Sequence, residues 1–294
     1  METNSAKHSR KTAKCKTKAF LTFVITQQKH FMAQENEIKN GKALANTTAL
    51  VTGGSRGIGR AIAERLAADG VLVAITYNAS KEAAEDVVAG IEQSGGKAFA
   101  LFADLVNASA IPALFEQLDS ELTQRTGSNV LHILVNNAGN SGWGGLPDAT
   151  PENFDTMFAV HARAPFFMIQ SAQSRLSDGG RIVNISSGLA TRPLPMVPLY
   201  SMAKAAINTL THALAMELGK RGITVNAVAP GWTRTDMNAA VRENADMVKS
   251  IEADTSLGRF GETSDIAAVV AFLASHEGRW VTAQVIEASG GYRL

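Results

Sequence analysis

Apolar and polar positions alternate between two periods along most of this chain. Short, continuously apolar runs lie at "TTALVT" (47–52), "VLVAITY" (71–77), "AFALF" (98–102), "LHILVN" (131–136), "RIVNIS" (181–186), "ITVNAV" (223–228) and "AQVIEA" (283–288). Runs this apolar belong to strands buried on both faces, as in a parallel sheet covered by helices. Between them, patterns with helical spacing predict helices over about 57–69, 80–94, 109–125, 152–177, 199–220 and 264–275, with stops such as Gly70 and Gly222. Strand–helix alternation of this kind predicts an α/β, doubly wound domain with right-handed crossovers, helices on both faces and about seven parallel strands. No linker or repeat interrupts it after residue 46, so 46–294 reads as one domain.

One connection breaks the rhythm. Residues 229–262 separate the sixth strand from the last helix, and connections this long in a compact domain are usually functional. Met237, Met247, Ile251 and Leu257 among its charges predict one or two short amphipathic helices over a site, with a substrate loop at about 231–262.

Composition adds bounds. An apolar fraction of 45% in 294 residues suffices for a large core, and a net charge of +1 gives no general attraction to nucleic acid or to an anionic membrane. The charge is uneven, because residues 1–34 carry seven basic side chains (Lys7, Arg10, Lys11, Lys14, Lys16, Lys18, Lys29) against Glu2. Their one apolar run, "AFLTFVIT" (19–26), is too short to span a bilayer, and no small-residue cleavage site follows it. A transit peptide fits the composition somewhat better than a secretory signal. The favoured reading of 1–45 is a basic disordered extension, or translation beginning at Met32. The single cysteine, Cys15, lies there, so no intrachain disulfide forms, consistent with a cytoplasmic compartment.

The chemistry begins at "TGGSRGIG" (52–59), between the first strand and first helix. Glycines allow a tight turn and let backbone N–H groups at the helix N-terminus meet a diphosphate. The second strand ends in Tyr77-Asn78-Ala79-Ser80, without the acid that would accept bonds from the ribose hydroxyls of NAD. Arg56 in the loop supplies a cation where a 2′-phosphate would lie, so the pattern predicts NADP(H) over NAD(H). Farther along, "YSMAK" places Tyr200 four residues before Lys204 on one helix face, where an ammonium would favour the phenolate and bring the phenol toward useful acid–base chemistry.

In order, "TGGSRGIG", "ADL" (103–105), "NNAG" (136–139), Ser187 thirteen residues before Tyr200, "YSMAK" (200–204) and "APGWTRT" (229–235) resemble the short-chain dehydrogenase/reductase superfamily over roughly 45–294. The resemblance is to its compact single-domain Rossmann branch, near the 3-oxoacyl-[acyl-carrier-protein] reductases. The extended-branch spacing T-G-x-x-G-x-x-G is absent, so epimerase and dehydratase readings fall away.

This resemblance implies a cofactor cradle of Gly53, Ser55, Arg56, Gly57, Ile58 and Gly59, with Tyr77, Asn78 and Ser80 at the adenosine phosphate. Asp104 and Leu105 would contact adenine, Asn137, Ala138 and Gly139 would lie along the cofactor, and Pro230, Gly231, Thr233 and Thr235 would embrace the nicotinamide. Tyr200 would protonate the substrate oxygen, Ser187 would hydrogen-bond to it, and Lys204 would tune Tyr200 and hold the ribose. No metal is required and no ligand cluster is visible. The family's usual helix asparagine is replaced by His161, whose imidazole could hold a water and a carbonyl, and whose titration near neutrality could make activity depend on pH.

The expected reaction is NADPH-dependent reduction of a medium-sized hydrophobic ketone, aldehyde or 3-oxoacyl thioester. The alternative is a catalytically weak NADP-binding regulatory or scaffold protein. Substrate walls would come from 139–147, 189–199 and 231–258, with Trp143, Leu194, Met196, Met237 and Met247 as apolar candidates; Arg192 and Arg234 read first as surface charges. The helices "NFDTMFAVHARAPFFMIQSAQSRL" and "SMAKAAINTLTHALAMEL" are too apolar for one sheet to cover, which predicts a homodimer or homotetramer.

Overall fold

A computed structural model describes residues 44–142 and 144–293, so the expectations for residues 1–43, Cys15 among them, and for Trp143 lie outside the described residues. Seven strands form the sheet: β1 (Thr48–Val51), β2 (Leu72–Tyr77), β3 (Lys97–Phe102), β4 (Leu131–Asn136), β5 (Leu176–Ile185), β6 (Thr224–Pro230) and β7 (Val285–Ala288). All neighbours pair in parallel, in the order β3-β2-β1-β4-β5-β6-β7. The strand order reverses between β1 and β4, which opens a crevice at the carboxyl ends of these strands.

The helices are α1 (Gly57–Ala68), α2 (Lys81–Gln93), α3 (Ala110–Thr126), α4 (Pro151–Phe158), α5 (Ala164–Ala172), α6 (Pro198–Leu218), α7 (Ala239–Arg242), α8 (Ala245–Ala253) and α9 (Thr263–Ala274). α1 packs against α2 and α9, and α3 against α5. Strand β1, Ile62, Leu66 and Val270 are fully buried, as are Leu118, Met168 and Ile182, so apolar layers cover the sheet on both sides.

Two expectations are corrected. α9 shares the face of α1 although β7 is added at the opposite end of the sheet from β2, so the β6–β7 crossover is left-handed. The long 231–262 insertion gives the chain the length to reach that face. The helix expected over 152–177 is split by a π-helical turn at Ala159–Arg163 and ends at Ala172. Pro165 has no N–H to give the His161 carbonyl four residues back, which loosens the helix there. At the far end Arg175 grips Asp119 through two bonds of 2.7 and 2.6 Å, and the chain turns into β5 at Leu176.

Candidate active site

The glycine loop hangs between β2 and β4 on specific bonds. Gly53 N–H donates to Thr76 Oγ1 (3.0 Å) and Gly54 N–H to the Thr76 carbonyl (2.9 Å). Thr52 Oγ1 accepts from the backbone N–H groups of Asn137 and Ala138, both at 2.9 Å, and Asn137 Nδ2 donates back to the carbonyls of Thr52 (2.8 Å) and Gly53 (3.1 Å). The loop closes so tightly that a Cβ on Gly59 would sit 2.2 Å from the Gly53 carbonyl oxygen. Arg56, the residue before α1, is extended and makes no side-chain cap, and the first turn of α1 holds no acid. Its leading N–H groups and helix dipole therefore favour an anion at this end.

A cleft of about 640 Å³ runs along the carboxyl ends of the strands from this loop. Every residue expected at the cofactor lines it: Gly53 and 55–59 from the loop, Tyr77, Asn78 and Ser80 beyond β2, Asp104 and Leu105 beyond β3, 137–139 beyond β4, and Pro230, Gly231, Thr233 and Thr235 beyond β6. Ser187, Tyr200, Lys204 and His161 line it too.

A ladder of buried amides sets the level of the reactive groups. Asn136 Nδ2 donates to Asn184 Oδ1 (2.9 Å), and Asn184 Nδ2 donates to Thr211 Oγ1 (2.9 Å), which ties β4, β5 and α6 together. Ser186 Oγ donates to Asn208 Oδ1 at 2.6 Å. With β5 and α6 in this register, Ser187 and Tyr200 both face the cleft, and Ser187 Oγ accepts from Leu189 N–H at 3.2 Å. The sequence reading missed this ladder and Thr76; buried Asn and Thr inside β runs were the available signal.

The electrostatics differ from expectation in two places. Lys204, 4% exposed, donates through Nζ to the Ile185 carbonyl at 2.7 Å, and Nζ is 5.7 Å from the Tyr200 ring centre. Burial pushes the Tyr200 phenol up to about 12 against the opposing influence of the Ser187 hydroxyl, and burial brings the Lys204 ammonium down to about 7. The phenol is thus held protonated, because desolvation of the phenolate outweighs the opposing influence of the Ser187 hydroxyl. His161, 2% exposed, lies in the π turn, and its Nε2 meets the Asn140 carbonyl oxygen at 3.0 Å, Asn140 Oδ1 at 3.1 Å and the Asn140 N–H at 3.4 Å. Nδ1 has no protein partner. Burial first, then the Lys204 charge, hold its pKa well below the ordinary value, which removes the expected titration near neutrality.

The walls are partly as expected. Leu194 and Met237 line the cleft, whereas Met196 (47% exposed) and Met247 (38%) do not. Met247 lies on the outer side of α8, whose Ile251 and Val248 instead pack with Val241, Phe260, Trp232 and Tyr292 into a small lid core. Arg234 is outside the cleft, paired with Glu262 at 3.1 Å, but Arg192 lines it, against the surface reading, paired with Glu287 of β7. Tyr292 and Ser289 also line it and went unnoticed, because only the return of β7 to the sheet edge brings the chain's end there. Among the described residues no group of three or more His, Cys, Asp or Glu is placed to hold a metal ion, and no helix is long and apolar enough to cross a membrane.

A parallel sheet with a glycine loop at its switch point and a deep cleft beyond it defines a dinucleotide-binding protein of the Rossmann class. The family profile described as enoyl-(acyl carrier protein) reductase matches residues 53–293. An uncharacterized oxidoreductase of Methylorubrum extorquens is 41% identical over 251 residues, 85% of this chain and 99% of that one. Versicolorin reductase 1 of Aspergillus parasiticus is 40% identical over 84% of this chain and 97% of its own. The solved structure of the angucycline C-6 ketoreductase LanV with bound NADP superposes with a TM-score of 0.81 at 46% identity, covering 85% of this chain and 96% of that one. The chain belongs to the short-chain dehydrogenase/reductase family, and is an oxidoreductase of that family.

Proposed function

We propose that this protein reduces a ketone, aldehyde or 3-oxoacyl carbonyl to an alcohol with NADPH. The observation that carries the reading is that Ser187, Tyr200 and Lys204 line the same cleft as the glycine loop, with the Lys204 ammonium 5.7 Å from the Tyr200 ring centre. When bound, NADPH supplies the hydride that no side chain can give. The likeness to a ketoreductase crystallised with NADP supports the cofactor choice. So do Arg56 and the acid-free end of β2, which suit a 2′-phosphate.

Within that reading, Ser187 donates a hydrogen bond to the substrate oxygen and Tyr200 gives it a proton. A phenol held near 12 is a proton donor at neutral pH, which suits the reductive direction. Lys204 holds ribose hydroxyls with the N–H groups left free by Ile185, and supplies charge beneath Tyr200. His161, neutral and fixed by Asn140, acts through Tyr200 and a water, its Nδ1 lone pair accepting. Phe154, Phe166, Met202 and Met216, exposed on α4, α5 and α6, support assembly into a homodimer or homotetramer.

The test follows NADPH absorbance across ketones, aldehydes, quinones and 3-oxoacyl thioesters, with a matched NADH series. Consumption on at least one class, faster with NADPH, is expected. Tight NADPH binding without consumption on any class would instead identify a cofactor-binding scaffold.

A further inference from the structure

Two opposite charges meet inside the cleft. Arg192, in the loop after Ser187, donates through Nη2 to Glu287 Oε1, and Ser289 Oγ donates to the same oxygen at 2.6 Å. The two side chains are 34% and 27% exposed, so the pair sits at the solvent-facing rim of the cleft. It also lies against the residue that follows Ser187: a Cβ on Gly188 would be 3.8 Å from Glu287 Oε1 and 4.0 Å from Arg192 Nη2. The other charged groups of the cleft are committed elsewhere. Arg56 and Asp104 flank the far, glycine-loop end, Lys204 is bound to Ile185, and Asp236 is exposed at the root of the lid.

An unpaired guanidinium attracts carboxylates and phosphates, because its fork matches their oxygens and can hold two of them at once. Here Glu287 occupies the fork. An anionic substrate would have to break the ion pair and then lie against the displaced carboxylate, whereas an uncharged one leaves the pair intact. Resting on the carbonyl-reductase reading above, we propose that Glu287 is a specificity-determining residue: by masking Arg192 it restricts the cleft to carbonyl substrates uncharged near the reacting group.

Three aryl ketones matched in size test this, one neutral, one carrying a carboxylate and one a quaternary ammonium. Glu287→Gln should raise kcat/KM for the carboxylate ketone about tenfold or more, mainly through KM, and leave the neutral ketone within about threefold. Arg192→Gln should do the reverse, favouring the ammonium ketone and rejecting the carboxylate more strongly. Because the two variants have opposite signs, either one carries the test if the other fails to fold. Parallel changes on all three ketones, or none, would overturn the charge assignment while the reductase reading stands. Absence of NADPH consumption by the wild-type protein on these ketones and on every carbonyl class of the panel above would overturn the reductase reading itself.

Discussion

The imidazole of His161 stands edge-on to the ring of Tyr200, with centroids 5.2 Å apart and planes at 84°. This contact on one side and Lys204 Nζ, 5.7 Å from the ring centre, are the neighbours that position the phenol in the cleft. Tyr200→Phe keeps the ring and its edge contact but removes the proton. Turnover should fall by about a hundred- to ten-thousandfold. NADPH affinity, measured by fluorescence titration, should change only a few-fold.

Acid stability should report on His161. The unfolded chain binds a proton on this imidazole below about 6.5, whereas the folded one does so only at much lower pH. The unfolded state therefore holds more protons as pH drops, and stability is lost with a limiting slope of about 1.4 kcal/mol per pH unit. Urea unfolding of wild type against His161→Asn between pH 7 and 5 should show the wild type losing more. Equal losses would mean the imidazole titrates normally in the fold.

Two glycines to alanine should act with opposite sign. Gly90 sits inside α2 with open space where a Cβ would project, so Gly90→Ala should stabilise by about 0.5–1 kcal/mol through the unfolded chain. At Gly59 the added carbon would meet the Gly53 carbonyl at 2.2 Å and Asn137 Nδ2 at 2.4 Å. Gly59→Ala should cost about 1–3 kcal/mol in thermal unfolding and weaken dinucleotide binding.

Arg56 decides the cofactor in this reading. Arg56→Ala should lower the preference for NADPH over NADH by about ten- to a hundredfold, the worth of charge-assisted bonds to one phosphate. Steady-state KM values for the two cofactors measure it, and an unchanged ratio would place discrimination elsewhere.

The sequence by itself determined the sheet, the glycine loop and the order of the candidate site residues, because these rest on local periodicity and on glycines and a phenol–lysine spacing that are properties of neighbours in the chain. It did not determine the sign of the Tyr200 pKa. Four-residue spacing brings Lys204 close, but only packing buries the ammonium, turns it onto Ile185 and withdraws the half-buried phenol from water. Nor did it determine that His161 stays neutral, which depends on Asn140, brought alongside by the return of the chain after β4. The pairing of Arg192 with Glu287, 95 residues apart, exists only because β7 closes the sheet edge beside the loop after Ser187. Burial and long-range partners set charge states, and neither is a property of a short stretch of sequence.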